Sequence, residues 1–125
     1  MTSFSEDTPI YRQIAQRIKA DVLRGTLGPD ERVMSTNELA EFYRINPATA
    51  AKAFQQLVEE DVIYKRRGIG MFVRPDAPSR LRREHRDRFF ADVVRPMVVK
   101  ANTIGIPLSE VIDRIQQMAT EDDES

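Results

Sequence analysis

Two short stretches of this chain carry groups suited to a polyanion. The first is Asn46-Pro47-Ala48-Thr49-Ala50-Ala51-Lys52. Its side chains are small or polar, so a helix starting here can approach another surface closely. Asn46 and Thr49 can hydrogen-bond to phosphate oxygens or base edges, and Lys52 can neutralise a phosphate. Backbone N–H groups at such a helix start also favour an anion. The second stretch is Lys65-Arg66-Arg67-Gly68-Ile69-Gly70, three consecutive cations beside two glycines. Gly68 and Gly70 permit a tight turn and close backbone approach. Each group also has a plainer role. Asn46 caps a helix, Thr49 and Lys52 face solvent, the glycines turn a hairpin, and the cations form a solvated cluster.

Other chemistries find little support. His85 is the only histidine and there is no cysteine, so no metal site and no disulfide is expected. Glu59, Glu60 and Asp61 are consecutive and point in different directions at a helix end, so they make no acid/base pair. No nucleophile motif, phosphate loop or cofactor fingerprint is found, and an enzyme is not expected. The chain has 125 residues, 41% hydrophobic and 31% charged, with a net charge of −1. That balance is ordinary for a soluble domain and excludes a diffusely basic protein. No apolar run approaches the roughly 18–20 residues that span a membrane. The start, MTSFSEDTPIYRQ, lacks the apolar segment of a secretion signal, and absence of cysteine fits a reducing cytosol. A cytoplasmic protein without membrane contact is expected.

Three helices are expected to position the two stretches. The first has Thr8 as cap and Pro9 as first residue, buries Ile10, Ile14, Ile18 and Val22, and stops at Gly25. Gly28-Pro29-Asp30-Glu31 reads as a turn. Ser35-Thr36-Asn37-Glu38 matches a capping box that opens a short second helix, with Leu39, Ala40 and Phe42 inward and an end near Tyr43. After a break of about three residues, Asn46 caps and Pro47 starts the third helix, with Ala50, Ala53, Phe54, Leu57 and Val58 inward. The period then changes to strand, turn and strand over residues 62–74. This order is that of a winged helix-turn-helix: the third helix enters the major groove and the hairpin forms the wing.

The chain resembles the GntR family of bacterial regulators over about residues 9–74. The matching residues are Pro9-Ile10-Tyr11-Arg12-Gln13-Ile14, Ser35-x-x-Glu38-Leu39-Ala40, Ile45-Asn46-Pro47-Ala48-Thr49, and the wing Arg67-Gly68-Ile69-Gly70-Met71-Phe72-Val73. The Asn46-Pro47 start and the short tail resemble the YtrA-type branch. The resemblance implies a homodimer that binds a two-fold symmetric operator as a repressor, and places Ser35 and Asn37 among the DNA-binding residues. It also shows departures. Met34 stands where the family has proline, Asn37 where it has a DNA-contacting arginine, and Ala51 where many relatives have arginine. Fewer ionic contacts and a changed operator are expected.

The expected fold is mainly α with a small β-hairpin wing: a winged helix-turn-helix over residues 1–74, a linker over 75–79, a two-helix dimerisation tail over 80–120, and a disordered acidic end over 121–125. Pro96 is expected to kink or break the tail helix. The expected dimer residues are Leu81, Phe89, Phe90, Val93, Val94, Met97, Ile112 and Ile115, each large side chain worth roughly 1.5–3 kcal/mol if buried. The alternative is that these residues pack back on the winged domain. Two partners are therefore expected, double-stranded operator DNA and a second copy. A small-molecule effector held near the interface between domain and tail, in a pocket formed by the kink at Pro96 and the apolar, Met-containing tail, is a further reading. The competing function is a winged-helix module that binds protein without specific DNA recognition, motivated by the low net charge and Asn37.

Overall fold

The computed structural model describes Phe4 and residues 6–124. They divide into two compact units between Arg83 and Glu84. In the first unit, α1 spans Ile10–Arg24, α2 Thr36–Tyr43 and α3 Pro47–Glu59, followed by strands β1, Ile63–Arg66, and β2, Gly70–Val73. The strands are antiparallel, with Ile63 opposite Val73 and Arg66 opposite Gly70. The mainly helical fold with one hairpin is the winged helix-turn-helix expected.

The helical starts and stops follow from local chemistry. Ser35 Oγ accepts the Glu38 N–H, and Glu38 Oε1 accepts the Ser35 N–H, so the capping box is closed on both sides. Asn46 Oδ1 accepts the Ala48 N–H and Pro47 fills the first helical position. α1 ends at Gly25, whose φ of 85° is left-handed. Its start differs from expectation. Pro9, not Thr8, holds the boundary position, and no side chain caps the helix. Pro9 lies outside the helix at ψ 142°, and its carbonyl takes the Arg12 and Gln13 N–H groups.

One core joins these elements: Ile14, Ile18 and Val22 of α1, Leu39 of α2, Ala53, Phe54 and Leu57 of α3, with Val62, Ile63 and Val73 from the hairpin. Three expected inward residues face out instead, Ile10 among them at 41% exposure. Phe42 is 59% exposed, and Val58 is also exposed. Tyr43, four residues after Leu39, packs against the core in place of Phe42. A feature missed in the sequence is the segment after the Gly28 turn. Arg32 bridges Phe72, and Val33 N–H bonds the Met71 carbonyl at 2.9 Å. The chain before α2 thus lies along the hairpin and helps hold it on the helices, as a two-strand ribbon requires.

Residues 77–79, expected in a linker, are the first turn of α4, Ala77–Phe89. Ala77 and Pro78 are buried, and proline is tolerated in a first helical turn. Leu81, expected at a dimer surface, is 5% exposed and belongs to the winged unit's core. The division between units thus falls inside α4.

In the second unit, the end of α4 runs into a π-helical turn over Phe90–Val94, then α5, Arg95–Thr103, and α6, Leu108–Glu124. Pro96 does not break this helical run. It lacks an N–H, and its ring would clash with the carbonyl four residues back. The preceding turn is widened, and Arg95 N–H bonds the Phe90 carbonyl five residues back. A turn with Gly105 at φ 78° leads into α6. α6 runs through Glu121, Asp122 and Asp123 to Glu124, where disorder was expected; Ser125 lies outside the described residues. Among the described residues of this unit, Ala101 is the one buried hydrophobic residue.

Candidate nucleic-acid interface

All the residues singled out for DNA lie in the first unit and keep an open side. Asn37, Asn46, Pro47, Ala48, Lys52, Lys65, Arg66, Arg67 and Gly68 are exposed, and Ser35, Thr49 and Gly70 are half-buried. They come from the starts of α2 and α3 and from the wing. Their inward neighbours fix them: Ala50, Ala53 and Leu57 are fully buried, which turns Thr49 and Lys52 away from the core.

The hydrogen bonds decide what some groups can do. Asn46 Oδ1 is occupied by Ala48 N–H at 2.8 Å. Its amide NH2 is left to donate, so Asn46 suits an acceptor: a phosphate oxygen, or O6 or N7 of guanine. The Thr49 and Ala50 N–H groups bond the Asn46 carbonyl. The backbone donors that were expected to attract an anion at this helix start are therefore engaged. Recognition at α3 falls to side chains.

Lys52 does not stand alone. Its Nζ lies 4.5 Å from the centre of the Tyr11 ring, within cation–π range. Arg12 Nε donates to Tyr11 Oη at 3.2 Å. The first turn of α1 therefore joins α3 in one cationic cluster, a residue set the sequence reading did not include. On the wing, Arg66 lies 5.3 Å from the Phe72 ring centre, and Phe72 stacks on Tyr64 at 5.8 Å. Tyr64 Oη donates to Asp30 Oδ1 at 2.7 Å, which raises the Tyr64 pKa above its ordinary value. Gly68 has φ 78° and Gly70 φ 144°, so both are needed by the turn itself.

Two carboxylates near this surface are held ionised. The Ser35 backbone and hydroxyl bonds lower the Glu38 pKa, with Arg32 adding a smaller pull. Burial pushes the Glu60 pKa up, but hydrogen bonds from Lys19 and Gln56 outweigh it and the net shift is down. A third missed residue is Arg80. Its Nη2 donates to the Glu60 and Asp61 carbonyls at 3.1 and 2.7 Å, satisfying the end of α3.

In the second unit Phe89, Phe90, Val93, Met97, Ile112 and Ile115 are exposed, and Val94 is half-buried. Phe90 at 53% and Val93 at 52% are unusual for side chains of their kind. Val99, Ile104, Leu108 and Met118 are exposed as well and extend the same apolar character. Among the described residues no helix is long and apolar enough to cross a membrane.

Fold and site are those of a winged helix-turn-helix, DNA-binding regulator of transcription. The family model for bacterial regulatory proteins of the gntR family matches residues 10–73, and the chain belongs to that family. It is 29% identical over 114 residues to the HTH-type transcriptional repressor YtrA of Bacillus subtilis, covering 91% of this chain and 87% of that protein. A GntR-family regulator from Bacteroides thetaiotaomicron, 29% identical, superposes with a TM-score of 0.71 over 90% of this chain and 98% of its own. The DNA-binding domain of AraR, solved in complex with operator ORR3, is 29% identical with a TM-score of 0.52 over 58% of this chain and 86% of its own.

Proposed function

We propose that this chain is a cytoplasmic, homodimeric repressor that binds a two-fold symmetric DNA operator. The winged unit reads DNA and the second unit pairs two copies. Ser35, Asn37, Asn46, Pro47, Ala48, Thr49 and Lys52 face the groove and its flanking phosphates, and Lys65, Arg66, Arg67, Gly68 and Gly70 place the wing on the backbone. One observation carries the DNA reading: the start of α3 and the cationic wing turn are open on a unit similar to a domain solved with operator. Repression is what the similar YtrA protein is named for.

The dimer reading rests on the second unit. Phe89, Phe90, Val93, Met97, Ile112 and Ile115 are solvated in a single copy, while Ala101 is buried there. Burial against a second copy would contribute roughly 1.5–3 kcal/mol per large side chain. A two-fold pair is the commonest closed assembly and matches a palindromic site. The groove beside Pro96, lined by Asp87, Phe90, Val94, Arg95, Val98 and Val99, is the place the second unit offers a small-molecule effector.

A gel shift on DNA from upstream of its own gene tests this function. Nanomolar retention that survives competitor DNA is the expected result. Micromolar, indiscriminate binding would favour a winged-helix module that docks on protein. Melting the pure protein against a metabolite panel tests the effector, which raises the midpoint if it prefers the folded state.

A further inference from the structure

We infer that Arg32 is a DNA-phosphate contact, positioned between the start of α2 and the wing. The inference rests on the DNA-binding reading above.

Arg32 is not on any of the three helices or the two strands. Its backbone is tied to the hairpin by the bridge to Phe72. Its side chain is 51% exposed. Two neighbours show where the guanidinium group lies. Arg32 Nη1 is 3.8 Å from Glu38 Oε1, in the first turn of α2. A Cβ at Gly70, the first residue of β2, would sit 3.0 Å from Arg32 Nε. The side chain therefore fills the gap between the two elements, and the missing side chain of Gly70 makes room for it.

This placement answers an electrostatic difficulty. The first turn of α2 offers Ser35 and Asn37 to the duplex but bears no cation, and Glu38 there is a carboxylate. Its lowered pKa keeps it charged. Alone it would repel a phosphate. Arg32 offsets that charge without being consumed by it. At 3.8 Å the pair is too long for a hydrogen bond, and Glu38 Oε1 already accepts the Ser35 N–H. The guanidinium keeps donors in the fork geometry that suits phosphate oxygens. Its stem is restrained by the wing, so less freedom is lost on binding.

The test measures binding of a labelled duplex from upstream of the gene between 50 and 200 mM salt, for wild type, Arg32→Ala, Arg32→Lys, Arg32→Gln and Glu38→Gln. Loss of one phosphate contact lowers the salt slope by about 0.9, so Arg32→Ala and Arg32→Gln should lose about 3.5-fold of the affinity change across that range. Arg32→Lys keeps the charge, so its salt slope should stay near wild type even if the affinity falls. Glu38→Gln keeps the capping box and should bind more tightly. An Arg32→Gln protein that melts like wild type and shows an unchanged slope overturns the assignment. So does weaker binding by an equal factor at every salt, which marks a structural role. If wild type itself does not prefer this duplex to scrambled DNA, the DNA-binding reading has failed, and the contact falls with it.

Discussion

A lysine on an open helix face is ordinary, and Lys52 becomes informative only through its partner. The Tyr11 ring holds its ammonium 4.5 Å away, on a fixed line from α1 to α3. Lys52→Ala and Arg67→Ala should each weaken binding to many sequences and make the salt slope shallower by about 0.9, measured by anisotropy titration. A base-reading group behaves otherwise. Asn46 can donate only through its free amide, so Asn46→Asp should bind poorly yet keep its cap and its melting point. Glu38 gives a pH signature. Its folded pKa lies below the unfolded one, so its stabilisation is present above the unfolded value and is lost as pH falls through the folded one. Glu38→Gln should therefore flatten the acid side of the stability curve, read by melting from pH 3 to 6. At this scale the sequence was legible where partners are near in the chain. Both capping residues, Ser35 and Asn46, were found because their bonds span two or three positions. Tyr11, Arg32 and Arg80 were not, because Lys52, Gly70 and the α3 carbonyls lie far along the chain from them.

Element by element, periodicity found the three helices and the hairpin but not which ring of an adjacent pair turns inward. Phe42 and Tyr43 are neighbours, and a helix of eight residues is too short for its apolar stripe to decide between them. The proline signals mark where the helix is perturbed and not where it ends. Pro78 reads as linker and stands in a first helical turn; Pro96 reads as a kink or break, and the helical run passes it with a π turn. Both follow from the same cause. Proline costs a helix one donor and some space, and a first turn or a widened turn supplies them. The consequence for α4 is testable. Leu81 is 5% exposed in the winged core, so Leu81→Ala should cost about 2–5 kcal/mol of that unit's stability and leave self-association unchanged. Thermal melting and sedimentation together check it. A loss of dimer with unchanged melting would return Leu81 to the tail.

At the scale of the whole molecule, the two units differ in how they treat apolar surface. The winged unit buries a core of its own, with Ile14, Val22, Leu57, Ile63 and Val73 fully or almost fully buried, and leaves Phe42 and Ile69 outside it. The second unit leaves Phe89, Phe90, Val93, Leu108, Ile112 and Ile115 in contact with solvent. Large apolar side chains exposed in this number suit an interaction surface, and the partner proposed above is a second copy. In the dimer proposed above, each winged unit would read one half-site, and the second contact would form at a high effective concentration. Val93→Asp and Ile112→Asp each place a carboxylate on the surface to be buried. Each should weaken self-association at least tenfold, about 1.4 kcal/mol, seen as a monomer by light scattering at micromolar protein. The winged unit has no part in that change, so its melting and its weak affinity for a single half-site should persist, while affinity for the full palindrome falls to the half-site level. Equal palindrome affinity in wild type and a monomeric variant would detach DNA recognition from the tail altogether.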